Sequence, residues 1–128
     1  MDMSRLPSIL IVDDSADNRA QLEFFLQMMG YRIVVAESGN QALKLLKKSK
    51  FDIVLSDIQM PDGSGLELLR SMRSGDDFTP VLIMTARTDI AAEHILSMGG
   101  DGFIRKPLNL EKLLVLLIKI QRAGDTKN

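Results

Sequence analysis

Five short apolar runs, each rich in β-branched residues, alternate along this chain with longer segments whose apolar residues recur at helical spacing. Runs of this kind are typical of strands buried on both faces, which is the situation of strands in a parallel sheet. Parallel strands require crossover connections, and helices supply these in right-handed units. The alternation therefore predicts the α/β class, with a doubly wound, five-stranded parallel sheet and five helices.

The element bounds follow from the apolar periodicity and from capping residues. The predicted strands are Ser8–Val12, Tyr31–Ala36, Ile53–Ser56, Pro80–Met84 and Gly102–Arg105. The predicted helices are Ser15–Met29, Ser38 or Gly39 to about Lys48, Ser64–Arg73, roughly Asp89–Met98, and Asn109–Arg122. Because the chain shows no internal repeat or linker, we expect a single domain over residues 1–128. Its core is expected at about residues 8–122, with a short polar tail at each end.

The composition is that of an ordinary globular domain, with 128 residues, 45% apolar and 26% charged. The absence of cysteine excludes disulfides and thiolate metal sites. A formal net charge of −1 gives no electrostatic reason to expect nucleic acid or a membrane as a direct partner. No apolar run is long enough to span a bilayer, and the first residues lack the pattern of a secretory signal. We therefore expect a cytoplasmic protein.

Chemically active side chains follow four of the five predicted strands. Asp13 and Asp14 come after the first strand, Asp57 after the third, Thr85 after the fourth and Lys106 after the fifth. In open α/β sheets ligands bind outside the carboxyl ends of the strands, so these groups are expected to converge. Clustered carboxylates repel one another unless a hard cation such as Mg²⁺ joins them, and an ammonium and a hydroxyl suit phosphoryl oxygens. The pattern indicates an aspartyl phosphate site.

The motifs in which these residues occur resemble the receiver domain of two-component response regulators, a flavodoxin-like or CheY-like fold. They read "ILIVDD", "DIVLSDIQMPDGSGLELL", "PVLIMTA" and "GFIRKPL", and they occur in the order found in that family. The resemblance extends from about Ser8 to Arg122. It implies the strand order 2-1-3-4-5.

The resemblance also implies a phosphoacceptor and a metal site. Asp57 would accept the phosphoryl group. Asp14 and Asp57 would bind Mg²⁺ directly, Asp13 often through water, and Gln59 through its backbone carbonyl. Mn²⁺ is an alternative ion.

A second set of implied roles concerns signalling. Thr85 and Lys106 would contact the phosphoryl group, and Phe103 stands where the family carries its switch aromatic residue. The Lys106–Pro107 bond is usually cis in the family, although the sequence leaves the isomer open. The implied partners are a histidine kinase or a histidine phosphotransfer protein, and downstream a protein target or a fused effector domain.

The chain departs from the family pattern between Thr85 and Lys106, a stretch that is about one residue shorter than in many relatives. There "MGGDG" replaces the commoner Gly-Ala pattern. We therefore expect the fourth helix or its exit to be short or mobile, which leaves the site residues intact and concerns only the geometry of the switch surface.

Two other function classes have weaker support. A phosphatase of the haloacid dehalogenase type also uses an aspartate after a strand, but the motif at that point reads Asp-x-Asp. Here Gln59 takes the place of the second aspartate. A nucleotide-binding module would carry a glycine-rich loop after the first strand, and none is present. We expect a regulatory phosphoacceptor with, at most, self-catalysed phosphoryl transfer and autodephosphorylation. It could be stand-alone or excised from a larger regulator, hybrid kinase or regulated enzyme.

The last helix carries more apolar residues than one buried face requires. A helical projection places a buried stripe at Leu110, Leu113, Leu117 and Ile120. Val115 and Ile118 fall outside this stripe. Scattered exposed apolar residues are normal, but two on one face also suggest a partner surface or a homodimer through this helix.

Overall fold

The structure, a computed structural model, describes residues 6–60 and 64–125. Within these residues, ten elements alternate strictly between strand and helix. They are β1 (Ser8–Val12), α1 (Ala16–Met28), β2 (Arg32–Ala36), α2 (Gly39–Lys48), β3 (Ile53–Asp57), α3 (Gly65–Ser74), β4 (Val81–Thr85), α4 (Ala92–Ser97), β5 (Gly102–Arg105) and α5 (Leu110–Asp125). The predicted polar tails, residues 1–5 and 126–128, lie outside the described residues.

The five strands form one parallel sheet in the order β2-β1-β3-β4-β5. Apolar residues of α1 and α5 pack on one face of the sheet, and those of α2, α3 and α4 pack on the other. The central strands β1, β3 and β4 are buried along their whole length, because helices cover both of their faces. The predicted fold class, strand order and doubly wound arrangement are confirmed.

Two strand ends differ from the predicted bounds in a way that concerns the site. β3 extends by one residue to include Asp57, which pairs with Met84. β4 likewise extends to Thr85, which pairs with Arg105. Sheet hydrogen bonds therefore fix the backbone of both polar residues, whereas the apolar pattern alone had ended each strand one residue earlier.

The fourth helix is short, as predicted, and spans only Ala92–Ser97 instead of Asp89–Met98. Its N-cap, Ala91, offers no side-chain hydrogen bond. Its exit uses both glycines of the "MGGDG" stretch. Gly99 has a φ of +94°, and a Cβ on Gly100 would lie 2.7 Å from Ile95 Cγ2. The shortness thus follows from an uncapped start and an early glycine stop.

The last helix is longer than predicted, because Gly124 continues it to Asp125. Leu113, Leu117 and Ile120 are buried as expected. The prediction that Leu110 is buried was wrong, since its side chain is 39% exposed at the first turn of α5, where the chain has only just left the sheet edge. No helix in the described part of the chain is both long and apolar enough to cross a membrane.

Candidate functional site

The polar residues predicted to converge stand at one edge of the sheet, at or just after the carboxyl ends of β1, β3, β4 and β5. One carboxylate oxygen from each of Asp13, Asp14 and Asp57 lies within 4.8 Å of the others. Asp13 is fully buried, Asp57 is 9% exposed, and Asp14 is exposed to solvent. The structure therefore brings the three carboxylates together with one open side.

Lys106 supplies the opposite charge to this cluster. Its Nζ donates a hydrogen bond of 2.7 Å to Asp57 Oδ2 and lies 3.5 Å from Asp13 Oδ2. Partial burial of the ammonium by itself lowers the pKa of Lys106, but the hydrogen bond and charge of Asp57, together with Asp13, outweigh it and leave that pKa raised. Lys106 therefore remains a cation beside the Asp57 carboxylate. The Lys106–Pro107 peptide bond is cis, in agreement with the resemblance.

Asp13 has an unsatisfied oxygen. Its Oδ1 accepts a hydrogen bond of 2.9 Å from the Ser15 backbone N–H. Its Oδ2 is buried and has no hydrogen-bond partner among the described residues. A buried carboxylate oxygen without a donor is costly, and a water or a cation would relieve that cost. Together with the oxygens of Asp14 and Asp57, this atom fits a hard divalent cation, which prefers carboxylate and water ligands.

Gln59 and Thr85 complete the predicted set without contacting the carboxylate cluster directly through their side chains. The backbone N–H of Gln59 lies 3.3 Å from Asp57 Oδ1, and Gln59 lines a cleft of about 340 Å³ with Asp14 and Arg87. Thr85 is buried, and its Oγ1 accepts a hydrogen bond of 2.9 Å from the Arg87 N–H. Because that bond uses a lone pair, the hydroxyl proton of Thr85 stays free to donate.

Phe103 lies on β5 and is half-buried. It packs against the group of buried apolar residues that includes Ile95 of α4. The Arg105 guanidinium stands 5.4 Å from the centre of its ring. Val115 and Ile118 are exposed on α5, at 51% and 36% of their surface, as the helical projection predicted.

Gly65, which the sequence placed in the third helix without a special role, is constrained by its contact with the site. It is the first residue of α3, and its N–H donates to the Ile58 carbonyl at 3.0 Å. A Cβ at this position would lie 2.2 Å from the backbone oxygen of Asp57. The end of β3 and the start of α3 thus approach so closely that only glycine fits. Pro61 and Gly63, which follow Asp57 in the quoted motif, lie outside the described residues.

Comparisons with known proteins agree with this geometry. The family model described as "Response regulator receiver domain" matches residues 9–118. Response regulator MprA of Mycolicibacterium vanbaalenii is 38% identical over 116 residues, which cover 89% of this chain and 50% of that protein. Transcriptional regulatory protein ZraR of Klebsiella oxytoca is 37% identical over 85% of this chain and 25% of its own length. The chain thus spans half or less of these curated relatives.

A solved structure carries the same fold. Response regulator TrrA of Thermotoga maritima, in complex with Mg²⁺–BeF, has a TM-score of 0.82 and 32% identity, and the match covers 90% of this chain and 99% of that one. Together with the family match over most of its length, this likeness shows that the chain belongs to the response regulator receiver domain family of two-component signalling.

Proposed function

We propose that the chain, as a single receiver domain, is a phosphorylation-controlled switch whose phosphoacceptor is Asp57. The observation that carries this proposal is the 2.7 Å contact between Asp57 Oδ2 and Lys106 Nζ beside two further carboxylates at an open sheet edge. The donor would be a phosphohistidine on a partner kinase or phosphotransfer protein. An oxygen of Asp57 attacks the phosphorus, the bond between phosphorus and the imidazole nitrogen breaks, and an acyl phosphate results.

The residues that would hold Mg²⁺ are Asp13, Asp14, Asp57 and the backbone carbonyl of Gln59. Mn²⁺ suits the same oxygen ligands. When bound, the ion neutralises charge on the phosphoryl oxygens. The buried Oδ2 of Asp13 supports this assignment, because it accepts no hydrogen bond from the described residues and lies 3.5 Å from the Lys106 ammonium in the same cluster.

Lys106 and Thr85 would act on the transferred group. The Lys106 ammonium already contacts the Asp57 carboxylate and, after the transfer, would pair as a point charge with one oxygen of the phosphoryl group. The Thr85 hydroxyl would donate a hydrogen bond to another phosphoryl oxygen. A shift of Thr85 would break its bond to the Arg87 N–H and so change the β4–α4 loop, and Phe103, packed beside α4, would move with it.

The output of the switch would be a changed partner surface near α4, β5 and α5. The readers would be a downstream protein target or an effector domain of a longer protein, since relatives of which this chain matches only a part are named transcriptional regulators. We place the switch in the cytoplasm, where a histidine kinase domain would meet it. Direct contact of this domain with nucleic acid or membrane is not part of the proposal. Nor is enzyme activity beyond its own phosphorylation and dephosphorylation.

The experiment that tests the proposal uses Asp57→Asn. We expect the native chain to gain the mass of one acid-labile phosphoryl group when it is incubated with acetyl phosphate and MgCl₂, and to gain nothing when EDTA replaces the metal. The Asp57→Asn variant should stay unmodified. Asp52→Asn is the matched control. Asp52 precedes the same strand at its other end, where its carboxylate accepts a hydrogen bond from the Ser8 backbone N–H. Labelling of Asp57→Asn at the native rate would refute the assignment.

A further inference from the structure

Arg19, near the start of α1, has a side chain that is only 15% exposed and points at the backbone behind the acidic cluster. Its Nη1 donates a hydrogen bond of 2.7 Å to the carbonyl oxygen of Asp13. Its Nη2 lies 3.7 Å from Glu37 Oε1. The guanidinium therefore connects the residue that follows β1 with the residue that follows β2.

These contacts hold the Asp13 backbone from both sides. The Asp13 N–H donates to the Ala36 carbonyl at 3.1 Å, and the Asp13 carbonyl accepts from Arg19. Glu37, the second residue that Arg19 approaches, directly follows Ala36. The first polar residue of the site is thus fixed in a closed set of contacts formed by β1, β2 and α1.

The orientation of the next residue depends on the same carbonyl. The Asp13 C=O and the Asp14 N–H belong to one planar peptide unit, so a bond that fixes the carbonyl also fixes the direction in which the chain enters Asp14. Asp14 is exposed, and among the described residues no hydrogen bond or ion pair holds its carboxylate. Its position beside Asp13 and Asp57 is therefore set by the backbone.

We propose that Arg19 is a positioning residue for the divalent cation site: it locks the Asp13–Asp14 peptide so that the three carboxylates converge. This inference rests on the proposed function, which supplies the cation.

The direction in which the Mg²⁺ affinity changes when Arg19 is replaced separates a positioning role from a simple effect of charge. A guanidinium near a cation site repels the cation, so charge alone predicts that its removal tightens Mg²⁺ binding. A positioning role predicts the opposite, because the carboxylates lose their common focus. Groups that orient metal ligands typically change metal affinity by about 10- to 100-fold.

The test is a calorimetric titration of the unphosphorylated chain with MgCl₂, at a temperature well below the unfolding midpoint of every variant. We expect Arg19→Met to bind Mg²⁺ about tenfold more weakly than the native chain, with the loss persisting at high NaCl, where charge effects are screened. Arg32→Met is the matched control. It removes an exposed arginine from the start of β2, at the opposite edge of the sheet, and should leave the affinity unchanged.

The outcomes distinguish a failure of the proposed metal site from a failure of the positioning role of Arg19. If the native chain binds no Mg²⁺, the metal site of the proposed function fails. If the native chain binds Mg²⁺ and Arg19→Met binds it equally well or more tightly, the positioning role is overturned. Should Arg19→Met not fold, Arg19→Gln repeats the test. Its shorter neutral side chain should also weaken binding, and unchanged or tighter binding would overturn the inference in the same way.

Discussion

Individual residues of the site carry constraints that are steric as well as electrostatic. The proposed role of Asp57 requires a rigid backbone and a counter-charge for its carboxylate. The pairing of β3 with β4 supplies the rigid backbone, and Lys106 supplies the counter-charge. Gly65 adds a third requirement, because α3 must begin in contact with the Asp57 carbonyl.

We predict that Gly65→Ala destabilises the fold by about 3 kcal/mol, because a Cβ 2.2 Å from the Asp57 carbonyl oxygen forces the backbone of β3 or α3 to shift. Phosphorylation of Asp57 should fall with it. Urea denaturation and the acetyl phosphate assay measure the two effects. Gly124→Ala is the control, since a Cβ there meets no atom within 4 Å and alanine favours the helix. Equal stability of the two variants would contradict the close approach.

We also predict a loss of stability at alkaline pH that depends on Lys106. A pKa raised by Asp57 and Asp13 means that the charged ammonium favours the folded state below its unfolded pKa of about 10.4, and that this contribution disappears as the pH rises through the higher folded value. The difference in the free energy of unfolding between the native chain and Lys106→Met should therefore shrink above about pH 10.4.

Both proteins in this comparison should carry Tyr31→Phe. Burial raises the pKa of the Tyr31 phenol, which produces a loss of stability of the same sign in the same range. Denaturant titrations at a series of alkaline pH values give the difference directly. A difference that does not change with pH would exclude the ion pair as its source.

Among the elements, α4 differs from the other helices in how it begins. Side chains of Ser15, Ser38, Ser64 and Asn109 accept backbone N–H bonds at the starts of α1, α2, α3 and α5. The N-cap of α4 is Ala91, which has no such group. A short helix with unsatisfied N–H groups is expected to open locally at small cost.

The exit of α4 is anchored, in contrast to its start. Arg73, at the end of α3, donates to the carbonyls of Asp77, Thr79 and Gly99, and it pairs with Asp101. These bonds tie the α4–β5 turn to the α3–β4 loop at the edge of the sheet away from Asp57. Conformational freedom in this unit therefore concentrates at the start of α4, on the side of Thr85 and Arg87.

We predict that Ala91→Ser stabilises α4 by about 0.5–1 kcal/mol, because the new hydroxyl can accept an N–H bond of the first turn. Native-state hydrogen exchange of the α4 amides should slow severalfold, with little change in the other helices. Ala92→Ser is the control, since it adds the same hydroxyl one residue past the cap position. The cap explanation fails if both variants slow exchange equally.

For the molecule as a whole, the exposed face of α5 remains a predicted partner or dimer surface. Val115 and Ile118 contribute little to the buried core, so their replacement should leave the free energy of unfolding within about 0.5 kcal/mol of the native value. We predict that the double variant Val115→Lys, Ile118→Lys loses self-association or partner affinity. Sedimentation before and after phosphorylation, and binding to the cognate kinase, measure this. If neither changes, α5 is not an interface.

The apolar pattern of the sequence was sufficient to predict the class and the number of elements, whereas the strand order was implied by the resemblance of the motifs to the receiver family. Local chemistry also identified Asp13, Asp14, Asp57, Thr85 and Lys106 as strand-end residues, because a parallel sheet brings all carboxyl ends to one edge. A short α4 could be predicted from the shortened stretch between Thr85 and Lys106 and its glycines, although the later start of the helix follows from the missing cap at Ala91. These features depend on neighbours in the chain or on rules that hold for every sheet of this type.

Tertiary structure alone decided the features that depend on distance across the fold. The need for glycine at position 65 arises from contact with a strand eight residues earlier, and Leu110 is exposed because of where α5 leaves the sheet. Arg19 has no distinguishing pattern around it, yet its guanidinium joins the ends of two strands behind the acidic cluster. Periodicity reports which face of an element is buried, whereas such contacts depend on how separate elements are placed against each other.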